Sequence, residues 1–579
     1  MKGQVYILLL RVAPVAIVLV LIQLAESLRW VGFALVRPAF AQVPPRQLPG
    51  AVEPGRERPL PEAPAQPKFD FSIEAPQRSP VPRAVDEVHF LLTDIRIIGA
   101  KTLPPESFRP LYAGMIGKQV TLTDILDVAD RIEDSYRRAG FILTRAYVPP
   151  QRVGDGIFTI DVIEGYVAAV SVDGGGEAMQ RRIKAYLQSV LASRPLEVGT
   201  IERALLLTND LPGVAASGVL RPSPNALGAS DLVVNVVETP VSGGLALDNR
   251  GSRFSGVWTL GGDVEFNSLI DAGDQLAASV AMAPDDPSER ILGQARYRYP
   301  IGEDGAMASM IVTVSRGAPG LTLQQLQVLT DSIAVGPRFS YPILRTRDES
   351  LLLDTGITVQ DATVNLLGQQ FSHDQWRVFD IGASYLRNGF LGGSWTALFD
   401  IAQGLPFFGA TSNDSPELSV PEAHTDFTKL TVNLHHTRSL VGPISLALWL
   451  QGQYAFERVV DGEQVTFGGT QIGRGYDPAA ITGDRGLGVS AELRYDTRLP
   501  DIKIELLQPY LFFDAARVWE IHSTGGADER LASTGAGIRV GLPHDITAGI
   551  EFAQQLRAVP GSDEGKRSAK VLVDAAVRF

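Results

Sequence analysis

No cysteine occurs among the 579 residues. That excludes a disulfide framework, thiolate metal sites and thiol catalysis, and it suits a chain that crosses an oxidising compartment. Basic residues are outnumbered: 52 Lys and Arg stand against 65 Asp and Glu, giving a formal net charge of −13. There is no global basic footprint of the kind a phosphate backbone attracts, so nucleic acid is not an expected partner. His-Glu-x-x-His, Gly-x-Ser-x-Gly and the phosphate-cradling Gly-x-x-x-x-Gly-Lys-Ser/Thr are all missing, which argues against an enzyme and gives no reason to expect a cofactor. His435-His436 is the only adjacent histidine pair. In a strand such neighbours point to opposite faces, so a structural role is expected and a shared metal site is not. Past Val36 no apolar stretch approaches the roughly 18–20 residues a spanning helix needs. If the mature chain is in a membrane, it must be there as a closed barrel, because lipid leaves no backbone group unpaired.

What is present divides the chain into unlike parts. Lys2, Arg11, an apolar run over 12–22, a second apolar patch over 30–36 and Ala39-Phe40-Ala41 read as an export signal spanning 1–41. A retained anchor is the alternative, because the apolar run lies far from the cleavage site. Residues 42–86 are crowded with proline (Pro44, Pro45, Pro49, Pro54, Pro59, Pro61, Pro64, Pro67). A stretch so poor in large apolar residues is expected to be an extended, mobile periplasmic linker.

A repeat follows. Ile160-Asp161-Val162-Ile163-Glu164-Gly165 and Val234-Asn235-Val236-Val237-Glu238-Thr239 lie 74 residues apart, and the same offset carries Pro150 onto Pro224. Two copies of one module are the simplest explanation. In the first, over 87–165, a strand ending at Ile97-Ile98-Gly99 precedes a segment opening at Pro104-Pro105-Glu106. A helix then starts behind Thr123 as N-cap, with Ile125, Val128, Ala129, Ile132 and Tyr136 on one face and Gly140 at its end. Strands follow at 143–148 and 157–163. The second copy, over 166–240, repeats the order: a strand at 167–172, helices at 177–191 and 200–209, strands at 216–220 and 231–237. Each module is thus β-α-α-β-β, with a sheet edge able to accept an added strand.

From Val241 to the end the texture is period-two. Trp258, Leu260, Gly262, Val264 and Phe266 form a mainly apolar face against Thr259, Gly261, Asp263 and Glu265; a turn at Asp271-Ala272-Gly273-Asp274 leads to Leu276, Ala278, Val280 and Met282. The last strand places Val571, Val573, Ala575, Val577 and Phe579 on one side and Lys570, Asp574 and Arg578 on the other. A soluble sandwich or propeller also alternates. The export signal and a chain ending on an aromatic inside a strand favour a transmembrane antiparallel β-barrel over 241–579, with about 16 strands if each takes roughly 20 residues.

One stretch breaks the alternation. Gln471-Ile472-Gly473-Arg474-Gly475-Tyr476-Asp477 continues through Asp484-Arg485-Gly486 before alternation resumes near Leu493. Glycines flanking the arginine let such a loop fold back on itself. Downstream, 510–519 reads as a strand. With Leu511 and Phe513 toward lipid, Asp514 faces the lumen, within reach of Arg474 on an inward-folded loop; because Arg–Asp combinations are common, an exposed turn is the alternative. That register puts Arg517 on the lipid side, tolerable only near the interface.

The two modules, the barrel ending in Phe579, Gly473-Arg474-Gly475-Tyr476 and Phe512-Phe513-Asp514-Ala515-Ala516 together resemble the two-partner secretion transporters (TpsB) of haemolysin and filamentous-haemagglutinin type (ShlB/FhaC/HecB), within the superfamily that includes the barrel-assembly insertases. The resemblance spans about 86–579. It implies POTRA modules in the periplasm, a barrel in the bacterial outer membrane, and type V export of an unfolded partner exoprotein (TpsA-like) bound by the modules. It also implies insertion of the barrel among outer-membrane lipids by the barrel-assembly machinery, with Phe579 as the C-terminal assembly signal. In that family the Arg-Gly-aromatic motif tips a lid loop and its arginine pairs with the aspartate of a Phe-x-Asp-x-Gly strand, which by matching means Gly473, Arg474, Gly475 and Tyr476 against Phe512 and Asp514. Two departures stand out. Ala516 replaces the family glycine, leaving less room where loop and strand meet, and Gly473 stands where an aliphatic residue is frequent, loosening the tip. The proline-rich 42–83 suits a pore-plugging helix poorly, so a short plug or none is expected. An insertase of the same superfamily and a passive porin are the alternative functions.

Overall fold

The computed structural model describes residues 50–52, 54–56, 65–74, 89–153, 155–224, 226–413, 415–521, 528–559 and 567–579. The expected export signal and much of the expected linker lie outside the described residues. Among the described residues no helix is long and apolar enough to cross a membrane.

The first module packs one long helix, Leu122–Arg138, against strands Asp94–Ile98, Ile157–Ile163 and Arg145–Tyr147. Ile125, Val128, Ala129, Ile132 and Tyr136 are buried against Ile95, Phe158, Ile160 and Val162. The helix face and the alternate residues of the central strand thereby form one core. The expected N-cap is corrected. Thr121, not Thr123, accepts from the Asp124 N–H, and Asp124 Oδ2 accepts the Thr121 N–H at 2.7 Å. Both threonines suit a cap; Thr121 wins because a capping box requires a partner three residues on, and Asp124 supplies it. The segment from Pro105 forms only a short turn and the helix Arg109–Tyr112.

The second unit carries Tyr166–Asp173, helices Glu177–Tyr186, Gln188–Ala192 and Val198–Asn209, then Val214–Pro222 and Ala229–Glu238. The helix expected over 177–191 is broken at Leu187. The 74-residue offset recurs as chemistry. Glu164 Oε1 accepts the N–H groups of Lys101 and Thr102, and Glu238 Oε1 accepts the N–H of Gly176. In each unit a carboxylate leaving the last strand satisfies backbone donors that the first strand leaves open.

The proline-rich stretch is held at two places. Asp70–Ile73 pairs in parallel with Val214–Pro222 and so adds a fourth strand to the second unit's sheet. Phe69 and Phe71 pack against that unit's core. Further upstream, Val52 is buried with Leu323, Val328 and Val364, and the Gly55 carbonyl accepts from Gln360 Nε2 at 2.5 Å. Gly50–Val52 and Gly55 thus lie inside the barrel, where a wholly periplasmic linker was expected.

The barrel is closed, antiparallel and 16-stranded. Arg485–Tyr495 and Thr497–Leu499 both pair with Ile504–Trp519 and form one strand interrupted at Asp496. The first strand, Val241–Asp248, meets the last, Ala569–Arg578, with Leu245 opposite Val577. Phe579 and Gly243 exchange two backbone hydrogen bonds of 3.0 Å at the end of this seam. Strand parity follows the sequence: Leu260, Val571, Leu511 and Phe513 are exposed on the outer wall, while Asp514 and Glu551 are buried inside. The short turns on the module side include Gly273, Gly302 and Gly305, all with positive φ. At the opposite end the longest connection, residues 456–484, turns inward.

The second unit docks on the module-side mouth through charges. Arg345 reaches Asp210 at 2.6 Å, Arg347 reaches Glu202 at 3.0 Å, and Arg182 reaches Asp271 at 3.3 Å. Arg345 also donates to the Ala65 carbonyl, so the same arginine touches the barrel, the module and the segment that precedes both.

Candidate functional site: an inward loop locked to the lumen wall

The loop carries its own scaffold. Val465–Phe467 and Ile481–Gly483 pair as a small antiparallel sheet inside the lumen. Phe467, Ile472, Tyr476 and Ile481 pack on Val518, Ala516 and Leu531 of the wall. Space for this packing comes from wall glycines: a Cβ on Gly488 would stand 2.3 Å from the Phe467 ring. Gly488 lies directly across from Ala516. The room expected to be lost at Ala516 is therefore provided by its neighbour, and the loop meets the wall closely.

At the tip, Gly473 has φ +90°, a conformation that disfavours side chains. Its N–H and that of Arg474 both donate to Asp514 Oδ2 at 3.1 Å. The Arg474 guanidinium then spans the cluster. It reaches Asp514 Oδ1 at 2.8 Å, Glu492 Oε1 at 2.5 Å, Glu551 Oε2 at 3.3 Å and the Ser490 hydroxyl at 3.1 Å. It also lies over the Phe512 ring, 3.6 Å from the centroid. The Tyr476 hydroxyl lies 2.8 Å from the Ala532 carbonyl and 2.7 Å from that of Arg557, joining the strand Asp528–Leu542 to the connection that follows Ile546–Gln555. Gln555 Nε2 donates to the Gly475 carbonyl.

Glu492, Glu551 and Ser490 were not among the residues singled out from the sequence. Their inward parity was readable; their convergence on one guanidinium from two strands far apart in sequence was not. The cluster is balanced: Arg250, Arg474, Arg494 and Arg539 pair with Glu492, Asp514, Glu551 and Asp574. Such balance is what permits charges to be buried at all, because an unpaired one would bear the full desolvation cost.

A second anchor holds the loop at its base. Glu463 accepts from Trp376 Nε1 at 2.9 Å and pairs with Lys429 at 2.6 Å. Asp484 accepts the N–H groups of Val459 and Ile521. Gly462 and Gly55 both lie against the Trp376 ring, so the segment inside the barrel and the base of the loop share one platform. His435 and His436 point to opposite sides, stacking on Trp449 inside and Trp395 outside. Arg517 faces outward and pairs with Asp528 at the loop end of its strand, where an outer-wall charge can reach water.

The haemolysin secretion/activation protein ShlB/FhaC/HecB family matches residues 228–540, and the ShlB-type POTRA domain matches residues 90–165. The chain belongs to this family. The heme/hemopexin transporter protein HuxB of Haemophilus influenzae (strain 86-028NP) is 22% identical over 470 residues, covering 78% of this chain and 80% of that one. The outer membrane transporter CdiB of Escherichia coli is 23% identical over 408 residues, 69% of this chain and 67% of that one. Among solved structures, CdiB from Escherichia coli superposes with a TM-score of 0.68 at 21% identity, over 86% of this chain and 93% of that chain. BamA from Haemophilus ducreyi lacking POTRA domains 1–3 gives 0.52 at 12% identity, over 85% of this chain and 100% of that one. Members of the family are transporters. The barrel of this one lies in the outer membrane, with the N-terminal POTRA domain in the periplasm.

Proposed function

We propose that this chain exports one partner exoprotein across the outer membrane, and that the loop over residues 456–484 is the lid of the pathway. The observation that carries the reading is Arg474 held by three carboxylates from three strands inside a closed barrel. A lid fixed by charge pairs has a defined closed state and can be released without unfolding the wall. The second unit acts as a second POTRA module, and the exoprotein arrives unfolded from the periplasm. Extended polypeptide is recognised there by main-chain pairing at a sheet edge, a mode tolerant of sequence. Folding of the emerging chain outside makes return unfavourable, so no nucleotide is needed. A passive porin would have no use for the modules, and its lumen would not be filled by a pinned loop. An insertase shares the fold, but the family match is to the secretion proteins.

Replacing Arg474 by Ala leaves the buried Asp514 without its guanidinium partner and removes the tie across the lumen, a disruption of about 3–5 kcal/mol for a buried pair. Secretion of the exoprotein should fall severalfold while the barrel still inserts and shifts on a gel with heating. Arg474→Lys should be intermediate, since an ammonium cannot make the bidentate fork. Undiminished secretion by inserted Arg474→Ala protein would overturn the lid assignment.

A further inference from the structure

Among the described residues the outer wall treats its arginines consistently, with one exception. Arg377 pairs with Asp361 at 2.8 Å, Arg387 with Glu349 at 2.7 Å, Arg517 with Asp528, and Arg316 approaches Asp331 at 3.6 Å. On the lipid side a cation is tolerated when an acidic neighbour or the interface satisfies it. Arg438 also faces outward, since it stands opposite Gly393 and two residues beyond His436, whose partner Trp395 lies on the outer wall. It is exposed and has no carboxylate or carbonyl partner among the described residues.

Its surroundings are apolar on both sides. Leu440, Val441, Phe390 and Leu391 are exposed next to it at the periplasmic end, and Leu448 is exposed toward the middle of the wall. The guanidinium lies along the Gly392 backbone, with Nε 3.4 Å from where a Cβ would stand. One step further into the membrane is a flat aromatic shelf. Trp395 stacks on His436 at 4.1 Å and 23°, its Nε1 donating to the Phe390 carbonyl at 3.2 Å. Both rings are thereby fixed before any ligand arrives.

We propose that Arg438 and the Trp395–His436 shelf form a binding site for one anionic glycerophospholipid of the periplasmic leaflet. The phosphate meets the guanidinium, and an acyl chain lies along Trp395 and Leu448. Charge complementarity identifies the occupant: a lone cation bordered by lipid-facing apolar residues needs an anion that arrives with hydrocarbon attached. Guanidinium and phosphate match in geometry, with charge-assisted bonds stronger than neutral ones. Arg387, already neutralised by Glu349, leaves Arg438 as the charge that discriminates an anionic headgroup from a zwitterionic one.

The test is native mass spectrometry of the full chain released from nanodiscs of equal phosphatidylcholine and phosphatidylglycerol. The wild-type chain should retain one phosphatidylglycerol in preference to phosphatidylcholine. Arg438→Gln should lower that retention about tenfold, the scale of one charge-assisted contact, and Trp395→Leu should lower it less. Arg517→Gln, on the same outer wall but at the far end, should retain phosphatidylglycerol like the wild type. A heat-dependent gel shift would establish that each variant is a folded barrel. Equal retention by Arg438→Gln and wild type would overturn the site, as would equal loss in Arg517→Gln or retention of both lipids without preference.

Discussion

Arg474 sits among more carboxylates than it can neutralise alone, and the neighbouring guanidinium groups restore the balance: Arg539 and Arg494 reach Glu492, and Arg250 reaches Glu551. The tip is consequently held by position as much as by charge. Gly473 shows this. Its φ of +90° and the 2.9 Å that a Cβ would leave to Leu531 Cδ1 make any side chain costly. Gly473→Val should destabilise the closed loop by about 1–3 kcal/mol, the range for strained backbone. The expected readout is faster proteolysis within residues 456–484 of the inserted protein, and unchanged proteolysis would show that the tip is not fixed as described. A glycine expected to loosen the tip is thus a residue the tip requires. In the first module, Glu164 offers a pH test. Burial raises its pKa, but the N–H groups of Thr102 and Lys101 and the Tyr136 hydroxyl outweigh this and hold it below the usual 4.5. A depressed carboxylate contributes stability above its unfolded pKa, and that contribution is lost as pH falls through the folded value. Protection of the Lys101 and Thr102 amides relative to intrinsic exchange should therefore fall on acidification below about pH 4.5 in the wild type, and start low and change little in Glu164→Gln. Equal profiles would contradict it.

Among elements, parity did most of the work. Alternation placed Asp514 inside, Leu511 and Phe513 outside and Arg517 on the lipid side, because a strand has no freedom to do otherwise once one face is committed. What alternation cannot show is which distant strand supplies the facing charge, so Glu492 and Glu551 went unnoticed. The strand Asp70–Ile73 was missed for a different reason. Phe69, Phe71 and Ile73 alternate, but the proline density around them outweighed a three-residue signal. Its consequence is measurable. Removing residues 65–74 uncovers the edge at Val214–Pro222, and amide exchange at Gly218 and Leu220 should rise in the otherwise intact chain. Unchanged protection there would mean that the strand does not cover this edge in solution. The cap at Thr121 belongs to the same class of miss: Thr121 has a carboxylate, Asp124, three residues downstream, whereas the expected Thr123 has Leu126 there.

For the whole molecule, the change of texture at Val241 and the helix-and-strand pattern before it were sufficient to read a barrel preceded by a POTRA domain. The occupied lumen was not, since nothing in the run of prolines points to Gly55 lying against Trp376. Arg345 joins the second unit to the barrel mouth and to Ala65, while Trp376 carries both Gly55 and the base of the inward loop. The central claim is that cargo passes through this lumen, and strand parity allows a direct measurement. Thr313 points inward and its neighbour Val314 outward, on the strand Ala306–Gly317, far from the inward loop. A photo-crosslinker placed at each position in turn, with an exoprotein stalled in transit by a stably folded C-terminal domain, should capture cargo from position 313 and not from 314. Capture from both positions alike, or from 314 alone, would contradict export through the barrel.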